Sequence, residues 1–419
     1  KTLVLKSVNE QIELGQALKD MDYMITYLQQ DVEGNQYLTT RMSNKESKHL
    51  VIPGTNIHHY LFDQNELTED NAEFRKITSV DVSRVRRINN TDFEMITSLK
   101  GNKCTYGFQF YGGNQQATIP FGNSRETRNK TFEELCWKED GKGDTTYLGV
   151  LRMDIDNLGK TFKEGLSEEI RSFAAYSTLS AQLDWFFSGY LNTLRNSGEF
   201  RDYVNIIYSG GDDVFAVGRW DKIILFAEKI RSEFREYIGG REDVSISGGI
   251  AIVGHKYPIR MAALQAGDAE DQSKDFNLDG HLKNAITFFG ETISWSKEFE
   301  EVRKIKTDLV HYCVREEKPI SKALLHQLMQ WKAQKDSFEK EPTKASLSFR
   351  WNTAYYLKRY IDRYKKDAKA KDFLKDVQAS LMSGEAMNNK EKYGMRIYTL
   401  FGVAARWAEM ELKEFKTIK

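Results

Sequence analysis

The sequence predicts an α+β chain in three parts: an irregular α+β region over 1–146, a sheet-and-helix domain over 147–292 and a helical bundle over 293–419. Three observations lead there. A polar linker, Glu139-Asp-Gly-Lys-Gly-Asp-Thr-Thr146, carries two glycines and flanking charges that cannot form a core. Apolar runs of strand length then alternate with longer segments of helical period. From Ser294 onward the turn glycines thin out, and Leu324, Leu328 and Trp331 recur at three- and four-residue spacing.

Before the linker, short strand-like runs are broken by turn signals: Pro53-Gly54-Thr55-Asn56, Tyr111-Gly112-Gly113-Asn114 and Pro120-Phe121-Gly122-Asn123. A charged helix, Phe132-Glu-Glu-Leu-Cys-Trp-Lys, precedes the linker. After it, Tyr147-Leu-Gly-Val-Leu-Arg-Met153 is a strand that stops at Asp154-Ile-Asp-Asn-Leu-Gly-Lys160, and a long helix follows over 168–194. Two apolar runs, Tyr203–Tyr208 and Val214–Val217, flank Ser209-Gly-Gly-Asp-Asp213, which reads as a hairpin with carboxylates at its tip. A helix over 220–237, a strand over 244–253, a helix over 259–274 and a strand over 285–289 complete the set. The order β-α-β-β-α-β is the split βαβ arrangement of a ferredoxin-like domain, the ground plan of polymerase and cyclase palms. Segments 296–317, 320–335, 345–366, 369–382 and 391–415 read as the helices of a small bundle.

Composition sets the remaining bounds. The 419 residues carry 61 Lys and Arg against 61 Asp and Glu, with 40% hydrophobic residues, which excludes a disordered or fibrous chain. Neutrality hides an asymmetry, because 27 Lys and Arg face 18 Asp and Glu between Ile293 and Lys419. That basic tail is where a polyanion would dock; the alternative is a set of solvated Lys-rich helix faces. No run of about 18 apolar residues occurs, and the start, Lys1-Thr-Leu-Val-Leu-Lys-Ser, lacks the pattern of a signal peptide. The expectation is a cytoplasmic protein with no membrane partner, and a chain that begins with Lys is expected to be part of a longer product. Cys104, Cys136 and Cys313 stand alone, so they make neither a disulfide framework nor a zinc knuckle.

Asp154, Asp156 and the pair Asp212-Asp213 are the strongest chemical signal, since each ends an apolar strand where a merely structural carboxylate would be avoided. In a palm sheet the first strand and the central hairpin lie side by side, which would bring Asp154 near Asp212 and Asp213. Carboxylates so close repel unless a cation lies between them. Mg²⁺ or Mn²⁺ suits a set made of Asp154, Asp212, Asp213 and the backbone oxygen of Ile155, whereas zinc would want His and Cys that this region lacks. Two such ions activate a ribose 3′-hydroxyl and stabilise a leaving pyrophosphate. Gly210 and Gly211 allow a tight turn and leave room for a nucleotide. The turn Asn157-Leu158-Gly159 offers backbone N–H groups to phosphates, with Lys160 nearby and Lys274 as a second candidate. An isolated Gly-Gly-Asp-Asp is often only a hairpin turn, and Lys274 alone is an ordinary C-terminal helix lysine.

Together Tyr147-Leu-Gly-Val-Leu-Arg-Met-Asp-Ile-Asp-Asn-Leu-Gly159, Ser209-Gly-Gly-Asp-Asp-Val-Phe215, Ser247-Gly-Gly-Ile-Ala-Ile252 and Lys283-Asn-Ala-Ile-Thr-Phe-Phe-Gly290 resemble the second Palm domain of the large subunit of type III CRISPR effector complexes, closer to its Csm than its Cmr branch. Ile12–Leu18, Phe132–Leu135 and the basic helical tail are similar to the flanking parts of that subunit. The resemblance implies an enzyme that, on target RNA binding, polymerises ATP into cyclic oligoadenylates. It implies that Asp154, Asp212 and Asp213 hold the metals, that Ser209 lies close to the nucleotide and that Lys274 meets phosphate. It also implies other effector subunits, guide RNA and target RNA as partners. Two departures stand out: there is no His-Asp dipeptide of an HD nuclease and no paired cysteines. His58-His59 reads as a loop feature. Competing readings are a catalytically idle RNA- or protein-binding scaffold, and an adenylyl transferase or cyclase with a different product.

Overall fold

The computed structural model describes residues 14–15, 18–19, 21–28, 48–51, 56–91, 96, 99, 104–113, 115–120, 127–137, 147–316, 318–342, 347–387 and 391–414. The expected linker at 139–146 and the turn residues 53–55, 114 and 121–123 lie outside these, as do Ile12, Glu13, Gln16 and Ala17. The chain forms two compact units, one of Lys1–Asn129 with Glu164–Phe215, the other of Lys130–Lys163 with Ala216–Lys419.

The first unit replaces the expected irregular region with a five-stranded sheet. Its strands lie in the order His49–Val51, Ile57–Phe62, Tyr23–Leu28, Asp81–Ile88, Thr105–Gln109. Tyr23–Leu28 is central and antiparallel to both neighbours, with Tyr23 opposite Phe62 on one side and Arg87 on the other. The helix Ala72–Thr78 starts where the Asn71 side chain accepts from the Glu73 and Phe74 N–H groups (3.0 and 3.1 Å), a standard N-cap. It presses Phe74 and Ile77 into a core with Ile25, Phe62, Val82 and Val85. His58 and His59 correct the loop expectation. They sit within the strand Ile57–Phe62, where alternation sends His58 between the rings of Tyr27 and His49 and His59 to the Thr26 hydroxyl (2.9 Å).

In the same unit, the helix expected over 168–194 starts later, at Phe173, where the Ser172 side chain caps Ala175 N–H. It runs to Asp184, opens into a π-helical turn over Trp185–Tyr190 and closes as Leu191–Arg195. A π turn takes up an extra residue, so the 3.6-residue period that marks a helix in sequence conceals it.

The second unit contains the strands Glu291–Ser294, Ala285–Phe288, Ile246–Gly254 and Tyr147–Ile155 in that spatial order, continued by Ala216–Arg219 of the strand Asp213–Arg219. The strand Val204–Gly210 and residues Asp213–Phe215 belong to the first unit. Ile246–Gly254 runs antiparallel to Tyr147–Ile155, with Ser247 opposite Asp154, and parallel to Ala285–Phe288. The helices Trp220–Tyr237 and Ile259–Lys274 form over the spans the periodicity predicts. The first buries Trp220, Ile223, Ile224, Phe226, Ala227, Ile230 and Phe234, an apolar stripe in which each large side chain contributes roughly 1.5–3 kcal/mol of gross burial. The second lies directly on its strand: a Cβ at Gly249 would stand 2.2 Å from Glu270 N and 2.4 Å from Ala266 O.

Five helices follow, Phe299–Val314, Ala323–Lys340, Ser348–Arg363, Ala368–Ser383 and Ile397–Glu414. The last packs on the first two, and its Trp407 ring meets Phe288 (5.5 Å) and Phe299 (6.1 Å), joining bundle and sheet into one core. Among the described residues no helix is long and apolar enough to cross a membrane.

Candidate nucleotide-binding and metal site

In the second unit, Tyr147–Ile155 carries the first acidic motif off its end. Asp156 is 1% exposed, and its Oδ2 accepts from Ser245 Oγ (2.6 Å), Ser247 Oγ (2.9 Å) and the Asn284 N–H (3.1 Å). Its own N–H donates to the Ser245 carbonyl (2.8 Å). Asp156 thus ties the ends of three strands. Burial pushes its carboxyl above the usual range, although these donors pull the other way. Asp154, two residues earlier along the strand, is only partly buried and pairs with the Lys274 ammonium. Lys274 also holds Glu270 Oε1 (3.1 Å), and Glu270 in turn meets Arg152 (3.3 Å). Burial works against the Lys274 charge, but Asp154 and Glu270 outweigh it and hold its pKa above the ordinary lysine value. Asn157 adopts a left-handed conformation (φ 58°) and opens the helix Leu158–Glu164, where Gly159 and Lys160 are exposed; its Oδ1 accepts from Lys283 Nζ (2.8 Å).

In the first unit, the second acidic motif caps the hairpin. Gly211 takes φ 66°, which the turn requires and which any side chain would strain. Gly210 faces its own unit, where an added Cβ would stand 3.2 Å from Ser188 Oγ. Ser209 is 5% exposed, and its hydroxyl donates to the Phe187 carbonyl (2.6 Å) of the π turn. Ser188 Oγ donates to Asp184 Oδ1 (2.6 Å). Asp213 leads Asp212 and Asp184 among the charges that, with some burial, raise the half-exposed Tyr208 phenol above its ordinary pKa. The loop at Gly112 lies against this strand, a Cβ there falling 2.0 Å from the Ser209 carbonyl oxygen.

Sequence reasoning missed Asp184, Ser188, Tyr208 and Gly112 around the hairpin, and Arg152, Glu270 and Ser245 around the first motif. Gly112 alone left a trace, as part of a turn signal. The others are joined through long-range pairing that no local pattern reports. The donors of the expected metal set are carboxylate and carbonyl oxygens, the chemistry a hard divalent ion takes. Among the described residues no group of three or more His, Cys, Asp or Glu side chains is gathered as a ready metal cage. On Asp154 the Lys274 ammonium supplies the positive charge.

Residues 147–287 match the family model of the Cas10/Cmr2 second palm domain. This stretch is similar to that palm domain. A Cas10/Csm1 single-strand-specific deoxyribonuclease of the subtype III-A CRISPR system from Methanocaldococcus jannaschii is 31% identical over 209 residues, covering 45% of this chain and 26% of that protein. Its counterpart in Mycobacterium tuberculosis is 34% identical over 209 residues, 45% of this chain and 25% of that protein. The Streptococcus thermophilus relative is 29% identical over 286 residues, 67% of this chain and 35% of that protein. The chain therefore spans about a quarter to a third of the length of the curated relatives it matches. Among solved structures, the Csm1 chain of a Csm1–Csm4 subcomplex of the type III-A interference complex superposes with TM-score 0.59 at 18% identity, covering 96% of this chain and 51% of that one. A Csm1–Csm4 cassette in complex with cA4 gives TM-score 0.54 at 21% identity over 78% of this chain and 44% of that one. These likenesses establish the fold.

Proposed function

We propose that this chain is the catalytic palm and tail of a type III CRISPR large subunit, and that on target RNA binding it joins ATP molecules into cyclic oligoadenylates in the cytoplasm. The carrying observation is the pair of acidic strand ends, Asp154 beside Lys274 and Asp212-Asp213 on the Gly211 turn, in a chain whose residues 147–287 match the Cas10/Cmr2 second palm model. Structural neighbours bound to AMPPNP and to cA4 support the nucleotide reading. The Csm1–Csm4 subcomplex supports an assembly with other effector subunits, and guide RNA and target RNA are the further partners of this proposal. The three-part division at 146 and 292 stands with this proposal.

Asp154, the Ile155 carbonyl, Asp212 and Asp213 would hold Mg²⁺ or Mn²⁺, which when bound lowers the pKa of a ribose hydroxyl and takes up charge on the leaving pyrophosphate. The residues around them have separate tasks. Lys274, paired with Asp154, stays protonated and is placed to exchange that partner for a phosphate oxygen. The N–H groups of Leu158 and Gly159, with Lys160, offer further donors at the start of a helix. Gly210 and Gly211 keep the hairpin tip free of side chains, and Ser209, locked to Phe187, fixes the strand beneath the nucleotide. Asp156 braces the end of the strand that presents Asp154.

The test is product formation. The full-length subunit, assembled with guide and target RNA, is incubated with labelled ATP and Mg²⁺ or Mn²⁺, and products are identified by mass. Cyclic oligoadenylates that vanish with EDTA and return with Mg²⁺ or Mn²⁺ support the proposal; ATP left unconsumed contradicts it.

A further inference from the structure

A cavity of about 190 Å³ opens in the second unit between the C-terminal half of the helix Trp220–Tyr237, the start of the strand Ile246–Gly254 and Lys297. Arg231, Arg235, Arg241 and Lys297 line it, against the single carboxylate of Glu242. Arg241 is already neutralised by a two-point bond to Asp243 (2.9 and 2.6 Å). Arg231 and Arg235 are one helical turn apart, and neither makes an ion pair among the described residues. The acid one turn before Arg231, Glu228, is held by Arg303 at 2.7 Å. Burial and the neighbouring Arg235 guanidinium lower the Arg231 pKa, and Glu228, bonded to Arg303, offsets them only in part. Two like charges kept side by side at i and i+4 cost the helix stability unless an anion answers them.

We propose that this cavity binds the terminal phosphate of a nucleotide or short oligonucleotide, with Arg231 and Arg235 as the principal donors. Guanidinium forks match phosphate oxygens two at a time, which Lys cannot do. The volume is below the ~300–1,000 Å³ of pockets that enclose a whole drug-sized ligand, so it admits the phosphate end and leaves the base outside. The site is separate from the paired carboxylates, yet Ser245 and Asn284 line it and also hold Asp156.

The test is a calorimetric titration of pyrophosphate into the chain in EDTA, a condition that silences metal-dependent binding and so separates this site from the proposed catalytic one. Saturable binding is expected, weakened ~10-fold by R231Q and by R235Q, and unaffected by K358Q on another helix. Arg235 is exposed, so R235Q keeps the fold and decides the matter should R231Q perturb it. A 5′-phosphorylated triadenylate should bind ~10-fold more tightly than its 5′-hydroxyl counterpart. Absence of saturable pyrophosphate binding, wild-type affinity in R235Q, or equal affinity for the two triadenylates would each overturn the proposal.

Discussion

Replacing Asp156 by Ala removes the one acceptor that serves Ser245, Ser247 and Asn284 together, and leaves three donors at the starts of two strands without it. A hydrogen bond to a charged group contributes about 1.5–3 kcal/mol, and each orphaned buried donor costs about 1–3 kcal/mol. Against this, the buried carboxylate is itself desolvated, which is why its pKa is raised. The net loss is on the order of 3–5 kcal/mol for Asp156→Ala, and about half that for Asp156→Asn, which keeps one acceptor oxygen. Asp154→Ala is different in kind. Its partner Lys274 retains Glu270, and the pair is partly open to water, so the cost is about 1 kcal/mol or less. Urea unfolding followed by tryptophan fluorescence reads these as shifts in the midpoint at constant slope. Equal losses for the Asp154 and Asp156 variants would refute the division between a brace and an exposed ligand.

Further outcomes follow from neighbouring features. Gly249→Ala drives a Cβ into the Glu270 and Ala266 backbone, so a loss of roughly 3 kcal/mol or more, or insoluble protein, is expected in the same unfolding assay; wild-type stability would contradict the helix's seat on the strand. Burial holds the Glu301 carboxyl above its ordinary range, so the folded state keeps its proton to higher pH than the unfolded chain and loses stability as pH rises through that raised value. Glu301→Gln lacks this loss, and its Tm advantage should grow from pH 4 to pH 7; a constant difference would contradict it. Lys358, Arg359, Arg363, Lys365 and Lys366 are all exposed, but the helix ends at Arg363, so the last two lie beyond it and at most two or three of the five reach phosphate together. Their replacement by Gln should lower the salt slope of assembly with the guide-bearing complex by roughly two to three units, and an unchanged slope would mean a solvated face.

What the sequence revealed and what it concealed divide along physical lines. The helices Trp220–Tyr237 and Ile259–Lys274 and the strand beginning at Tyr147 were readable because amphipathic period and apolar run length are local properties. Asp154 and the Asp212-Asp213 pair stood out because charge at the end of an apolar strand conflicts with burial. The five-stranded sheet was not readable, since its spatial order joins strands remote in sequence and three of its members are shorter than six residues or carry little alternation. The same holds for Asp184, whose bond to Ser188 matters only because the π turn lies against Ser209. Asp156, grouped in the sequence with the other strand-end carboxylates, is a buried brace, a role set by Ser245 and Asn284 some 90 and 130 residues away.

The central claim rests on the hairpin carboxylates. Asp212→Ala/Asp213→Ala, made in the full-length subunit and assembled with guide and target RNA, removes repelling charges from a turn and should leave RNA binding unchanged. Synthesis of cyclic oligoadenylate from labelled ATP should fall by at least ~10³-fold. Wild-type synthesis by the double variant, with RNA bound as before, would show that the chemistry lies elsewhere.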